Sequence, residues 1–220
     1  LSRRSAQGAL VGVASGNRRS NQERREQSTE QVLAAALQLF VSRGYAATSI
    51  DDIASAASLT KGAVYFYFKG KSALLLELLA QSTILYEGIF ERMQDSGSSA
   101  AEQREMFVEW AARVGARNNE LLLLPILMSL EFYGQDKAVE EKLDRLYDLY
   151  HQEMERVVRL GQERREFDVS LAPREEAAVL VAFTDGMLLQ WFRRGSRLDG
   201  NRLVHSAKAL IAGGLRESNE

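Results

Sequence analysis

The densest chemistry in the chain lies in one short stretch, Thr60-Lys61-Gly62-Ala63, with Tyr65 and Tyr67 just beyond it. A threonine at the start of a helix can cap the backbone and reach a phosphate or a base edge, and the lysine beside it supplies a mobile cation. Glycine inside a helix costs about 1 kcal/mol relative to alanine, so Gly62 needs a reason, and close approach of the backbone to a partner surface is one. Ala63 extends the same small surface and could meet a thymine methyl. Tyr65 and Tyr67 each offer an apolar body with a hydrogen-bonding tip, which suits either a phosphate contact or an aromatic core. Val64 and Phe68 are expected in the core, Phe66 is left open between the two, and Lys69 reads as a solvated charge.

Other chemistries are short of residues. Cysteine is absent and histidine occurs only at His151 and His205, which excludes disulfides, zinc ribbons and thiol catalysis and fits a reducing, cytoplasmic setting. Asp148, His151 and Glu155 share one helical face at i, i+3, i+7, but a single nitrogen and no second ligating helix favour a solvated polar face, so neither a metal nor a cofactor is expected. There is no Gly-x-Ser-x-Gly elbow and no phosphate-cradling glycine loop, so no catalytic residue is assigned. The longest apolar run, Leu121 to Leu130, is interrupted by Pro125 and Ser129, and no membrane partner is expected. Charge is uneven: residues 1–72 carry 10 Lys/Arg against 5 Asp/Glu, and residues 73–220 carry 18 against 25, giving +5 and −7. A basic first part on an acidic remainder fits a nucleic-acid-binding head on a body that does not bind it, although a solvated surface gives the same numbers.

The elements that must position these residues are all helical, because apolar residues recur at helical rather than alternating spacing. The pattern predicts about nine helices. The first runs from about Glu26 to Arg43, with Leu33, Leu37 and Phe40 on one face, and Gly44 caps it. Thr48-Ser-Ile-Asp51 has the form of a capping box opening a second helix to about Ala57. A third runs from Thr60 to about Phe66. The fourth, Lys71 to Gln94, spans roughly 36 Å and ends at the break Asp95 to Ser99. Further helices are expected at Ala101 to Asn118, Leu121 to Tyr133, Lys137 to Gly161, Arg174 to Arg194 and Asn201 to Leu215, with Gly134, Gly161 and Gly195 as C-caps. Residues 1–22 read as a disordered basic tail, either inert or an arm touching phosphates; 23–72 as the head; 73–220 as the body, with helix 71–94 joining the two.

Two short helices joined by a tight turn and buttressed by longer helices form a compact three-helix head that offers its last helix to the DNA major groove. The residues closely resemble the TetR family of transcriptional regulators: Gly44-Tyr45-x-x-Thr48-Ser49-Ile50-x-x-Ile53-Ala54-x-x-Ala57, then Thr60-Lys-Gly-Ala-Val-Tyr-Phe-Tyr-Phe68, then Lys69-x-Lys71-x-x-Leu74-Leu75. The resemblance implies a phosphate contact at Thr48, groove contacts at Thr60, Lys61, Gly62 and Ala63, backbone contacts at Tyr65 and Tyr67, and a further phosphate at Lys71. It departs at the turn, where the family usually has glycine and this chain has Ser58, which must then take a left-handed conformation costing about 1 kcal/mol.

The body is read from sequence physics. The last two helices are expected to form an isologous four-helix dimer interface through Ala178, Val181, Ala182, Asp185, Leu189, Val204, Ala207 and Ile211, as the resemblance implies, with ordinary packing within one chain as the alternative. A ligand pocket inside the bundle would draw on Phe107, Trp110, Leu127, Met128, Tyr147, His151, Phe183 and Met187, most of which also serve as core. The expected partners are therefore double-stranded operator DNA, a small apolar ligand and a second copy of the chain. The expected function is a repressor released from a palindromic operator by that ligand. The alternatives are an activator of the same fold, a helical enzyme or a protein-interaction module.

Overall fold

A computed structural model describes residues 21–214, with helix backbone but no side chains at 21, 117–119, 196 and 214. Of the expected tail at 1–22, residues 1–20 lie outside the described residues, while Asn21 and Gln22 open α1, which starts earlier than the expected Glu26. In order the elements are α1 (Asn21–Arg43), α2 (Ile50–Ala56), α3 (Lys61–Tyr67), α4 (Lys71–Asp95), α5 (Ala100–Glu131), α6 (Lys137–Glu163), α7 (Pro173–Arg194), a 3-10 turn (Gly195–Arg197) and α8 (Gly200–Gly214). Among the described residues there is no strand.

The head closes around Phe40, Ile53, Val64, Leu74 and Leu75, all buried, so α1 and α4 clamp the two short helices between them. Local chemistry sets each boundary. Gly44, at φ +88, ends α1 in the left-handed region. The capping box of α2 sits one residue later than the sequence implied: Ser49 Oγ accepts from Asp52 N at 3.1 Å, and Asp52 Oδ2 accepts from Ser49 N at 2.9 Å. At the turn, Ser58 takes φ +57, and Leu59 N donates to Ala54 O at 2.9 Å, so serine fills the place where glycine is usual.

The body corrects the expected helices first at α5. The two helices expected at 101–118 and 121–133 are one helix of 32 residues, α5, running straight through Pro125. Asn118 and Asn119 are poor helix formers but not breakers. Pro125 lacks the N–H that would have bonded the Leu121 carbonyl. The fully buried Ser82 of α4 replaces it, its Oγ donating to Leu121 O at 2.7 Å. Gly161 is a second correction. It lies inside α6 rather than capping it, and a Cβ there would come within 2.1 Å of the Phe167 ring, so glycine is required for close packing.

An aromatic cluster fills the centre of the bundle, with Tyr86 and Phe90 from α4, Phe107 and Trp110 from α5 and Tyr150 from α6 at centroid separations of 5.1–6.0 Å. At the end of the bundle away from the head, the buried Glu153 carboxylate accepts from Arg156 and from Gln94, which ties α4 to α6. By length and composition α4 could cross a membrane, but Leu74, Leu75, Leu78, Leu79, Tyr86 and Phe90 bury one side of it in the core.

Candidate nucleic-acid interface and effector cavity

On α3 the side chains expected to meet DNA stand on a supported frame. Thr60 Oγ1 accepts from Ala63 N at 3.2 Å and caps the helix. Lys61 is exposed and its Nζ donates to the Asp51 carboxylate of α2 at 2.8 Å, which holds the ammonium at the surface and raises its proton affinity. Gly62 is exposed, Ala63 half-buried, and Tyr65 half exposed, while Tyr67 is half-buried. Val64 anchors the helix at 0 % exposure and Phe68 packs against the core, which settles their role as frame rather than contact. The residue left open, Phe66, is 71 % exposed, stacks edge-on against Tyr67, and lies 5.9 Å beneath the Arg25 guanidinium of α1. Its place beside the two tyrosines gives the surface an apolar element that helical periodicity did not single out.

Two of the expected phosphate contacts are turned inward. Thr48 is 2 % exposed, and its hydroxyl donates to Gly44 O at 2.8 Å, so it braces the turn after α1 instead of offering a free hydroxyl. Because Ser49 is the helix cap, Thr48 falls one position outside α2, on the buried side. Lys71 Nζ donates to Tyr45 O at 2.7 Å and Thr48 O at 2.8 Å and sits 4.1 Å from the Tyr45 ring centre, so in this conformation its charge fastens α4 to the same turn.

That turn is also gripped from the body, a contact the sequence did not reveal. Glu131, the last residue of α5, accepts from Tyr45 N at 2.9 Å and Ala46 N at 2.6 Å, and Phe132 meets the Tyr45 ring at 4.8 Å. Helix α5 is thus bonded to α4 through Ser82 and Leu121 and to the head through Glu131. It is a second connection between the two halves besides α4.

The expected ligand pocket is largely core. Phe107, Trp110 and Met128 are buried, the first two within the aromatic cluster. Leu127 and Phe183 pack against the core, and His151 is half-buried on α6. Glu155, on the same helical face, accepts from Arg159 Nε at 3.0 Å, and among the described residues no three ligating side chains form a metal-sized group. Tyr147 donates to Asp185 Oδ2 at 3.1 Å. The other Asp185 oxygen and the fully buried Tyr150 hydroxyl make no hydrogen bond of acceptable geometry. Burial pushes the Asp185 carboxyl up to about 6 and both phenols above their ordinary value.

An apolar cavity lies elsewhere, between α5, α7 and α8, and has a volume of about 400 Å³. Of the eight expected lining residues only Met187 reaches it. The sequence missed this site because its floor is made of small residues, Ala112 and Gly115, and its wall of Trp191, none of which reads as a pocket residue along a single helix.

The dimer expectation is also redrawn. Positions 178, 181, 182 and 185 recur at i, i+3, i+4 and i+7 and so share one broad helical face, but the chain itself covers the edge with Val181 and Asp185 and leaves the edge with Ala178 and Ala182 exposed. Val181, Ala207 and Ile211 are buried within the chain, and Asp185 points to α6. Leu189 and Val204 pack against the core. The outward face carries Ala178, Val179 at 60 % exposure, Ala182 and Leu210 at 67 %, around a shallow apolar groove lined by Phe183, Gly186 and Leu203.

A supported three-helix head with a short, exposed, cation-bearing last helix, carried on a larger helical bundle, defines a helix-turn-helix DNA-binding regulator. Residues 32–78 match the model of the bacterial regulatory proteins of the tetR family, and residues 129–216 match the C-terminal domain of the BetI-type transcriptional repressors. The chain is 27 % identical to the HTH-type transcriptional regulator AcrR of Shigella flexneri, over 88 % of this chain and 91 % of that one. It is 23 % identical to the HTH-type transcriptional repressor KstR2 of Mycolicibacterium smegmatis, over 86 % and 91 %. The crystal structure of the MbdR regulator from Azoarcus sp. CIB superposes with a TM-score of 0.79 at 35 % identity, covering 86 % of this chain and 98 % of that one. The chain therefore belongs to the TetR family and is a DNA-binding transcriptional regulator, not an enzyme.

Proposed function

We propose that the protein is a cytoplasmic homodimeric repressor that binds a pseudo-palindromic operator and is released by a small, largely apolar effector. The observation that supports this best is the α3 surface: Thr60, Lys61, Gly62, Ala63, Tyr65 and Tyr67 are held outward on a frame whose own hydrogen bonds are satisfied. Residues 23–72 act as the head and 73–220 as the body, with α4 shared. Pairing the outward face of α7 and α8 with its symmetry mate sets two α3 helices about 34 Å apart, one turn of B-DNA. Lys61 supplies the cation for phosphate or base. Release of Lys71 from the Tyr45 and Thr48 carbonyls on DNA binding would add a second.

The body controls the head through two connections, α4 and the Glu131 grip of α5. An effector that prefers the arrangement with displaced heads lowers operator affinity by its differential binding free energy, typically about 1–3 kcal/mol. Selection of genomic fragments by the purified protein tests the reading, with a Lys61→Ala, Tyr67→Ala double variant as control. An enriched inverted repeat that the variant fails to retain is expected. A folded, dimeric protein that enriches no sequence would overturn it.

A further inference from the structure

The cavity between α5, α7 and α8 has a shape and a charge, and both select an occupant. Its floor is apolar and closely built. Ala111, Gly115 and Leu188 are buried, and a Cβ at Gly115 would stand 2.9 Å from the Leu188 methyl, which would have to shift to admit it. The indole of Trp191 forms a flat wall, seated against Gly200 at the start of α8, where a Cβ would come within 3.2 Å of the ring. Met187, Leu203 and Val204 complete the apolar surround. A volume of about 400 Å³ falls in the range of small-molecule sites and is too small for a helix or a peptide strand of any length.

The exposed lining residues Glu109, Arg113, Ala116 and Asn201 form the mouth. Two of them are charged, and they are not equivalent. The Glu109 carboxylate accepts from Lys208 of α8, which also reaches Glu105 at 3.2 Å, so the acidic charge at the rim is matched from across the helix pair. The first turn of α8 is likewise capped, Arg202 N donating to Asp199 at 3.1 Å. Among the described residues, charge selection at the mouth therefore falls to the Arg113 guanidinium, whose planar fork suits a carboxylate or a phosphate.

We propose that this cavity is the effector site and that the effector is an amphipathic anion, with a compact apolar or planar body against Trp191 and a carboxylate or phosphate held at the mouth by Arg113. The proposal rests on the reading of the chain as an effector-responsive regulator and gives that effector a place and a chemical class. The site also has a route to the head. Gly115 lies 16 residues before Glu131 on the same unbroken helix, roughly 24 Å away, so an occupant that displaces α5 from α7 and α8 moves the residue that grips the turn after α1.

The chain has two tryptophans, so Trp110→Phe leaves Trp191 as the sole tryptophan, which is excited selectively over the tyrosines at the long-wavelength edge. The full-length protein in that background is titrated with decanoate, decan-1-ol and decylammonium, three probes that share a tail and differ in head charge. Decanoate is expected to perturb Trp191 emission and to bind about tenfold more tightly than the alcohol, with the ammonium weakest, because one charge-assisted hydrogen-bonded pair is gained. Arg113→Gln should erase the difference between decanoate and decan-1-ol while leaving alcohol binding in place. Ala112→Leu, which fills the floor, should weaken all three. Decanoyl-CoA serves as a further arm: tighter binding than decanoate that also falls on Arg113→Gln assigns the anion to phosphate rather than free carboxylate.

Equal affinity for the three heads, or a decanoate preference that survives Arg113→Gln, overturns the proposal. So does binding that leaves Trp191 emission unmoved. None of these outcomes bears on operator binding, which is read separately with the same proteins. Loss of operator selection with intact Arg113-dependent binding would instead overturn the regulator reading.

Discussion

The head and the body solve opposite problems with the same element type. In the head, every polar side chain that stabilises the frame is matched at close range: Ser49 with Asp52, Thr60 with Ala63, Lys71 with two carbonyls. Its chemistry is then left on the outside, on Lys61, Gly62 and Tyr65. In the body the outside is ordinary and the unfinished chemistry is inside. The Tyr150 hydroxyl and one Asp185 oxygen are buried without a well-formed hydrogen bond, and a cavity lies between α5, α7 and α8. A surface that must fit one fixed partner, the DNA duplex, benefits from a rigid support. An interior that must change with occupancy retains groups whose burial is costly.

Substitutions can break or sharpen this contrast, and the largest effect is expected where the body sets the geometry of two heads. A charge on the outward α7–α8 face, Ala182→Glu with Leu210→Glu, should convert dimer to monomer and reduce operator affinity about a hundredfold or more, because the second head no longer binds at high effective concentration. Sedimentation with operator titration measures both, and a stable dimer would place the interface elsewhere.

Next is the unfinished interior. Burial raises the Asp185 carboxyl from 3.8 to about 6, so the folded chain retains a proton that the unfolded chain has already released. Stability from this group therefore falls as pH rises from about 4 to about 6 and stays low above that. Asp185→Asn should abolish that slope and stabilise the protein at neutral pH by roughly 2–3 kcal/mol, read by denaturant unfolding across the pH range. An unchanged slope would mean that Asp185 is not the group responsible.

Ser82→Ala leaves the Leu121 carbonyl opposite Pro125 without a donor in the interior. It should cost about 1–3 kcal/mol, or a few degrees of Tm per kcal/mol. In the head, the smallest expected effect is that of Lys61→Ala: about tenfold weaker operator binding, a salt slope reduced by about one, and no change in oligomeric state.

The contrast also explains what the sequence alone disclosed. The helix after Thr60, its cap and its buried Val64 were legible because capping and core positions demand particular residue types at helical spacing, and the left-handed turn was foreseeable even with serine at position 58. Thr48 was misplaced because a one-residue shift of the helix cap to Ser49 turns its hydroxyl inward. In the body, apolar periodicity located the helices but not their partners. It could not show that Ser82 would complete Pro125 from another helix and make α5 continuous, that Glu131 would reach back 86 residues to Tyr45, or that the cavity would be floored by alanine and glycine. Val181 and Asp185 were assigned to the dimer face because small and polar residues along α7 do not reveal which side faces α6.

Hydroxyl-radical footprinting of the wild-type protein on its selected operator tests the central claim most directly, that two α3 surfaces of one dimer read a DNA duplex. The account predicts two protected patches on one face of the duplex with centres about ten base pairs apart, both lost with Lys61→Ala, Tyr67→Ala. A single patch, or protection that survives the double substitution, would contradict it.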